Sequence, residues 1–290
     1  MDVILATCRR RPELTSSDAL LRDALTAEGV TVRAMPWDEI PPGPSGPAIC
    51  LRSTWDYHVR VEEFRAWLSG FGPRTTRLWN PPATVLRNLD KAYLRELSEG
   101  GIRVPPTRWL EPGVRPDVSA LLSTTGFSPL VLKPRVSATA HGTHLVTRDT
   151  RLSEAEWTEL TAHGSLAQAF VPEVLSAGEI SLVFIDGDFS HAARKTPRAG
   201  DFRVQTDFGG TAEAFIPPAE LVSFGEAVLA RGSSPWVYAR VDVVAAAAGP
   251  MLMELELVEP HLFLELAPES AVRLARALIA RGSGARRSGA

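Results

Sequence analysis

The sequence predicts a chain of mixed α/β and α+β structure that is divided into three consecutive domains. Short apolar segments alternate with amphipathic helices in the first part, which indicates a parallel sheet. Further along, an Asp-Gly pair at 186–187 joins two strand-like segments, which is typical of an antiparallel hairpin. We therefore expect an N-terminal parallel α/β unit (1–85), a small central α+β domain (86–170), a C-terminal antiparallel α+β domain (171–282) and a disordered tail (283–290).

The N-terminal unit begins with the apolar segment DVILATC, which predicts the first strand. The segment SSDALLRDALTAEGV has apolar residues at helical spacing, so it predicts a helix with Ser16 or Ser17 as N-cap and Gly29 as its stop. VTVRAM and AICLR, which flank the linker PPGPSGP, predict two more strands. VEEFRAWLSGFG predicts a helix with its aromatic residues on one face.

The central domain begins with NLDKAYLRELSEGG, which predicts a helix capped at Asn88 and ended by glycine. Two further helices, DVSALLSTTG and SEAEWTELTAHG, and three strands, PLVLK, THLVT and SLAQAFV, complete this domain. In the C-terminal domain, EISLVFI and DFSHAARK predict the hairpin. A helix, PAELVSFGEAVLARG, and two strands, WVYARVDVV and PMLMELEL, follow.

The composition argues against whole classes of function. A net charge of -3 in 290 residues argues against a protein that neutralises nucleic-acid phosphates or an anionic membrane surface. The longest apolar run is too short for a membrane helix. Cys8 and Cys50 are expected to be reduced, buried thiols, and the first residues carry no signal-peptide pattern, which predicts a cytoplasmic protein with a small-molecule partner.

One pattern suggests phosphate binding, although the two commonest phosphate motifs, GxxxxGK(S/T) and a GxGxxG after a strand, are absent. Lys133 ends the strand PLVLK, and the loop RVSATAHGT follows. The backbone amides of this loop, which contains Ser137, Thr139 and Gly142, could surround a polyphosphate. A surface lysine before an ordinary hairpin loop explains the pattern as well, so the residues alone leave both interpretations open.

A second pattern is acidic. Arg240 and Asp242 alternate with apolar residues on one predicted strand, and Glu254 and Glu256 share a face of the next. Three carboxylates in an otherwise apolar sheet repel one another unless a cation lies among them. Oxygen ligands favour Mg2+, with Mn2+ as the alternative. The other interpretation is a strand face open to solvent, where such acids need no metal.

These segments, in this order, resemble the ATP-grasp enzymes over nearly the whole chain. The resemblance implies ATP and Mg2+ as cofactors, with NLDK and VLKP carrying nucleotide lysines, QAFVPEV as a hinge beside adenine, and RVDVV and MELEL as metal-binding strands. Glu256 departs from the Asn that the family usually has there. The residues implied for nucleotide are Lys91, Lys133, Ser137, Thr139, Gly142, Gln168, Ala169, Phe170, Val171, Glu173 and Glu179, and those for metal are Asp242, Glu254 and Glu256.

Three segments, LRSTWDYHVRVEEFRAWL, RKTPRAGDFRVQTDFGG and ELVEPHLFL, resemble the subgroup that includes D-cycloserine synthetase. The first follows a strand of an α/β sheet, where ligands commonly bind. It predicts substrate contacts from Arg52, Ser53, Trp55, Asp56 and Tyr57. The alternative is a structural corner in which Trp55 packs and Asp56 caps a helix that begins near Val59.

The resemblance implies an ADP-forming carbon-nitrogen ligase. It transfers phosphate to a carboxylate or carbonyl oxygen of an amino-acid-like substrate, and an amine then attacks, in natural-product biosynthesis such as that of an antibiotic. Arg240, Arg203 and Lys195 are the expected catalytic residues. The alternatives are an intramolecular cyclo-ligase, a small-molecule kinase and a non-catalytic nucleotide-binding regulator. The sequence is compatible with a homodimer. We expect the central domain to close over the site as a lid.

Overall fold

The computed structural model describes residues 1–72, 77–232 and 235–282, so the tail predicted for 283–290 lies outside the described residues. The N-terminal part forms a parallel sheet flanked by helices, as the alternating pattern predicted. Its elements are β1 (Asp2–Thr7), α1 (Ser16–Ala27), β2 (Thr31–Pro36), β3 (Ala48–Leu51), α2 (Val61–Ser69), β4 (Leu78–Trp79) and α3 (Pro82–Asn88). The strand order is β2-β1-β3-β4.

The N-cap of α1 is Thr15, not the serine that we predicted. The Thr15 hydroxyl oxygen accepts a hydrogen bond of 3.0 Å from the backbone N–H of Asp18. Ser17 is buried instead, and its hydroxyl accepts a hydrogen bond from the backbone N–H of Leu264, near the other end of the chain.

The central part forms a separate antiparallel sheet with the strand order β5-β8-β6-β7. Its elements are α4 (Tyr93–Glu99), β5 (Thr107–Leu110), α5 (Val118–Thr125), β6 (Leu130–Pro134), β7 (His144–Val146), α6 (Glu154–Ala162) and β8 (Ser165–Ala169). The predicted start of α4 was wrong, because the Asn88 side chain bonds the backbone of Leu255 and Leu257 and does not cap a helix.

The C-terminal part forms an antiparallel sheet with the strand order β11-β10-β9-β12-β13. Its elements are α7 (Glu173–Ala177), β9 (Glu179–Ile185), β10 (Asp188–Thr196), β11 (Thr211–Phe215), α8 (Ala219–Arg231), β12 (Tyr238–Ala246) and β13 (Gly249–Glu256). β9 and β10 form the predicted hairpin, with Asp186 at φ 51° and Gly187 at φ 98°. Positive φ at both turn residues is what an Asp-Gly pair favours.

The last helix, α9 (Glu269–Gly282), returns to the beginning of the chain and packs against α1. Leu274 and Leu278 share one hydrophobic core with Leu21 and Leu25. The core also takes in residues of β9, so the first and last parts of the chain bury their apolar surfaces together. Within the described ranges, none of the helices is long and apolar enough to cross a membrane.

Asn80 joins the N-terminal part to the C-terminal sheet. Its side chain is fully buried, and its amide donates hydrogen bonds of 2.9 Å to the carbonyls of Tyr238 and Leu257. Its carbonyl accepts from the backbone N–H of Val237. A buried amide with its partners satisfied fixes the relative position of the two strands that it bridges.

Candidate active site

A cavity of about 490 Å³ lies where the three sheets meet, and residues of all three parts line it. The chain contains three lysines, Lys91, Lys133 and Lys195, and all three line this cavity. Each is nine-tenths buried or more. Buried ammonium groups are costly unless anions meet them, so the cavity is built for negative charge.

Lys133 reaches the cavity because of the alternation along β6. Leu130 and Leu132 point into the hydrophobic core of the central part, whereas Val131 and Lys133 line the cavity. Lys91 lies in the turn between α3 and α4, where its backbone N–H bonds the carbonyl of Arg135.

The loop after β6 has the conformation that its small residues permit. Thr139, Ala140 and Gly142 all have positive φ, at 51°, 55° and 66°. A Cβ at Gly142 would collide with the Glu159 carboxylate and the Pro134 ring, so this position requires glycine. Lys91 holds the loop from one side, since its ammonium donates to the Ser137 carbonyl at 2.9 Å and to the Ser137 hydroxyl at 3.2 Å.

The tip of the same loop contacts the N-terminal part. The His141 ring lies 4.9 Å from the His58 ring, and His141 also pairs with Glu159. Both ring nitrogens of His58 are buried without a hydrogen-bond partner among the described residues. Burial, together with His141, lowers the pKa of His58 to about 4, so this imidazole is neutral at neutral pH.

The acidic residues of the two predicted metal-binding strands lie side by side. Asp242 on β12 is paired in register with Glu254 on β13, and Arg240 with Glu256. The Asp242 carboxylate accepts from Arg240 at 2.9 Å and lies 3.2 Å from the Lys195 ammonium. Although burial opposes ionisation, Arg240 and Lys195 lower the pKa of Asp242 to about 2.

Glu254 is held by the two lysines that the sequence assigned to phosphate. Its Oε1 lies 3.2 Å from the Lys133 ammonium and 3.9 Å from that of Lys91. Although burial disfavours the charged form, these lysines lower the pKa of Glu254. Protein cations therefore neutralise Asp242 and Glu254, so these two carboxylates do not require a metal, contrary to the expectation from the sequence.

A surplus of negative charge nevertheless remains. Burial, reinforced by Asp242, raises the pKa of Glu256 to about 8 although Arg240 contacts it, and burial raises the pKa of Glu259 to about 7. Carboxylates that resist ionisation fit an added hard cation. In the described part of the chain no three Asp, Glu, His or Cys side chains already form a metal-holding group, so a metal would recruit carboxylates from their present lysine and arginine partners.

The predicted hinge lies at one wall of the cavity. The Gln168 amide donates to the Thr107 hydroxyl, and the Ala169 N–H donates to the Pro106 carbonyl at 2.9 Å. The Val171 N–H has no acceptor among the described residues. Val171 belongs to an apolar cluster with Val174, Val204 and Val244, against which Met251 and Met253 pack.

The predicted substrate segment divides into two groups. Trp55 and Tyr57 line the cavity, whereas Arg52, Ser53 and Asp56 do not. Arg52 is 1% exposed, and its Nε donates to Asp18 at 2.7 Å. Asp56 caps no helix through its side chain, because its Oδ1 accepts from the Trp37 indole at 2.8 Å.

The remaining predicted residues line the cavity, with two exceptions, Gly142 and Glu173. Glu179, which was also predicted to contact the nucleotide, does line it, but it pairs with Lys195 at 2.5 Å. Arg203 also lines the cavity, where it pairs with Asp201 at 2.8 Å and stacks 3.6 Å above the Phe208 ring.

Several lining residues were not among the predicted set, and they include Arg11, Phe202, Glu259 and His261. Glu259 and His261 belong to ELVEPHLFL, which carries the family resemblance without indicating a role for either residue. The sequence does not distinguish Arg11 as a site residue, because it is one of three consecutive arginines.

Comparison with known proteins identifies the family. Residues 3–80 match the family model of the N-terminal domain of D-cycloserine synthetase DcsG. The cycloserine biosynthesis protein DcsG of Streptomyces lavendulae is 31% identical over 283 residues, which cover 90% of this chain and 92% of that protein. This chain belongs to the D-cycloserine synthetase-like subgroup of the ATP-grasp enzymes. The sequence-based assignment to this subgroup is confirmed.

Other similarities agree with this membership. The crystal structure of DcsG aligns with a TM-score of 0.81 at 27% identity, covering 97% of this chain and all of that one. A probable alpha-L-glutamate ligase of Aeromonas salmonicida is 30% identical over 193 residues, which are 66% of this chain and 63% of that protein. The ATP-grasp ligase PsnB, in a complex with minimal precursor, Mg and ADP, aligns over 97% of both chains with a TM-score of 0.63 at 16% identity, which shows the fold alone. The predicted fold class and the ligase class are confirmed.

Proposed function

We propose that this protein is an ATP- and Mg2+-dependent ligase that phosphorylates a carboxylate or carbonyl oxygen of an amino-acid derivative and then forms a carbon-nitrogen bond there. The observation that carries the proposal is the arrangement of Lys91 and Lys133 around Glu254. Two ammonium groups and a carboxylate meet in a cavity that the loop with Ser137 and Thr139 also lines, which suits a nucleotide phosphate and its cation.

ATP would lie between the central and C-terminal parts. Its phosphates would take Lys91, Lys133 and the loop that contains Ser137 and Thr139, and the lysines would leave Glu254. The free N–H of Val171 and the apolar cluster around it suit the edge and face of adenine. The Ala169 N–H is already engaged, so we assign the adenine contact to Val171.

Asp242, Glu254 and Glu256 would hold Mg2+, which supplies positive charge against the phosphates during transfer. Their oxygen ligands fit this cation, and Mn2+ fits by the same chemistry. Arg240 contacts both Asp242 and Glu256, so it holds these two carboxylates together in the absence of the cation.

The first chemical step is in-line phosphoryl transfer. The substrate oxygen attacks the γ-phosphorus, the bond from that phosphorus to the bridging oxygen breaks, and ADP leaves. Arg203 and Arg240 line the cavity and would stabilise the negative charge on the transferred group. Lys195 is held by Glu179 and Asp242, so its positive charge would act on the transferred group electrostatically, without a direct contact.

The second step forms the carbon-nitrogen bond. An amine nitrogen attacks the activated carbon and loses a proton, while phosphate leaves with the electrons of the carbon-oxygen bond. Ring closure, in which nitrogen and carbonyl belong to one molecule, is favoured by the match to DcsG over the length of both proteins. Intermolecular ligation is the second candidate, and it is supported by the match of a probable alpha-L-glutamate ligase to 66% of this chain.

The test is an ADP- and phosphate-release assay with Mg2+ over amino acids, O-substituted serines and amines, supplied singly and in pairs. One compound that releases both products alone establishes ring closure, and a requirement for two establishes intermolecular ligation. A stable phosphorylated product without free phosphate would replace the proposal with a kinase. ATP binding without turnover over the whole panel would favour a regulator.

We also place the protein in the cytoplasm. Cys8 and Cys50 are both free and buried, which accords with a reducing compartment.

A further inference from the structure

Three side chains hold the segment that follows β13. Its residues Val258 to His261 lie outside helices and strands. Three backbone carbonyls of this segment nevertheless lie within hydrogen-bond distance of side chains from other elements. Arg52 Nη2 donates to the Pro260 carbonyl at 2.7 Å, and Arg240 Nη1 donates to the His261 carbonyl at 3.0 Å. The Tyr238 hydroxyl, which shares its one hydrogen with the Trp79 carbonyl at 2.8 Å, lies 3.2 Å from the Val258 carbonyl. The segment is therefore fixed before any ligand binds.

Glu259 lies in the middle of this fixed segment. It is 5% exposed, and it lines the cavity. Two other buried carboxylates of the cavity, Glu179 and Asp242, pair with Lys195. Over the described ranges, no cation lies within 4 Å of the Glu259 carboxylate, and no other side chain bonds to it.

A buried carboxylate without a cation is unfavourable, and such groups are retained where a ligand supplies the missing charge. Burial raises the pKa of Glu259 to about 7, although its own backbone N–H and the charges of Arg240, Arg52 and Lys91 act to lower it. A divalent metal needs several oxygen ligands. An ammonium ion needs one carboxylate and space for its hydrogens.

We propose that Glu259 binds an ammonium group of the substrate, which narrows the substrate class to compounds with a free amino group. This inference rests on the proposed function, since it assigns the amino-acid end of the same cavity. It also explains Arg52. Arg52 is a positioning residue that holds Pro260, and through it Glu259, without touching the substrate.

The test is a binding measurement that does not require turnover. Ligand-observed NMR on the full-length protein with ADP and Mg2+ compares serine with glyceric acid, each as both enantiomers, because the two compounds differ by an ammonium group in place of a hydroxyl. Wild-type protein should bind one serine enantiomer at least about tenfold more tightly than the matching glyceric acid. Glu259→Gln should reduce this preference to less than about twofold.

Glu269→Gln is the matched control, because Glu269 is an exposed carboxylate at the start of α9 that does not line the cavity. It should keep the preference for serine. ADP affinity, measured in the same samples, shows that the variants are folded, and Glu259→Asp should restore part of the preference.

Equal binding of both compounds by the wild type, or no binding of either, would overturn the inference. A preference that survives in Glu259→Gln would do the same. Weaker Mg2+ affinity in this variant, with the preference unchanged, would make Glu259 a metal ligand. ADP release from a substrate without an amino group would reject the inference while leaving the proposed function standing.

Discussion

Arg52 and Pro260 are joined by a hydrogen bond of 2.7 Å, although 208 residues separate them in the chain. The same guanidinium pairs with Asp18 at 2.7 Å, and both members of this pair are almost completely buried. The segment that follows β3 and the segment that follows β13 are therefore one structural unit. Its function is to place neighbouring residues, and Arg52 itself is shielded from ligand.

Replacing Arg52 with Met should destabilise the protein strongly. The substitution leaves Asp18 buried without its cation, and loss of one partner of a buried pair costs about 3–5 kcal/mol of the free energy of unfolding. Urea unfolding measures this loss. Arg276→Met is the control, because Arg276 pairs with Glu28 at the surface and should cost less than about 1 kcal/mol. Similar costs at both positions would contradict the buried pairing.

Lys133→Met should weaken ATP binding by roughly 10- to 100-fold, because a charge-assisted hydrogen bond to phosphate is worth about 1.5–3 kcal/mol. Calorimetry with ATP and Mg2+ measures the affinity. Arg148→Met removes an exposed cation from the same central part and should leave the affinity unchanged. An unaltered affinity in Lys133→Met would remove this lysine from the nucleotide site.

Glu254→Gln should change ATP binding in opposite directions with and without the metal. Without Mg2+ the variant should bind ATP about tenfold more tightly than wild type, because Lys91 and Lys133 no longer have a carboxylate that competes with phosphate. With Mg2+ the variant should lose the gain in affinity that the metal gives wild type. The measurement is calorimetry in chelator and in Mg2+, with exposed Glu220→Gln as control. Full metal dependence in Glu254→Gln would exclude Glu254 as a ligand.

His58 should make the protein less stable in mild acid. Its pKa in the folded protein is about 4 against 6.5 for an ordinary histidine, so the fold favours the neutral ring. The contribution of His58 to the free energy of unfolding is complete above pH 6.5 and is lost as the pH falls from 6.5 towards 4. The expected loss between pH 7.5 and pH 5 is roughly 2 kcal/mol.

Urea unfolding at the two pH values tests this, and His58→Gln should change the difference by the roughly 2 kcal/mol that His58 contributes. His163→Gln, at the end of α6, should retain it. If His58→Gln keeps the full pH dependence, the acid sensitivity comes from other groups.

Local patterns were sufficient for much of the fold. The Asp-Gly turn predicted the β9–β10 hairpin, and the alternation of β12 placed Arg240 and Asp242 on one face. The helix α9 was not predicted, although Leu274 and Leu278 have helical spacing. Its partner α1 lies at the other end of the chain, so nothing nearby in the sequence marks the surface that it buries.

Site residues could be predicted where the residue type and a position at the end of a strand were sufficient. They were harder to predict where the role of a side chain depends on pairing with residues far away in the chain. Lys133 and Glu254 were each identified separately, but their mutual contact joins residues 121 positions apart. For the same reason the sequence could not show that Arg52 is closed off by Asp18 and Pro260. Whether a carboxylate is satisfied depends on the folded neighbourhood, and that neighbourhood is assembled from distant segments.

The confinement of all three lysines to one cavity gives this protein an unusual chemical reactivity. Every other strong side-chain cation in the chain is an arginine, so apart from the N-terminus an amine-directed reagent can react only inside the active-site cavity. Attachment to a resin or a dye through lysine would therefore block the site. The rate of such labelling, slowed by whatever fills the cavity, offers a direct way to screen for ligands before any product is known.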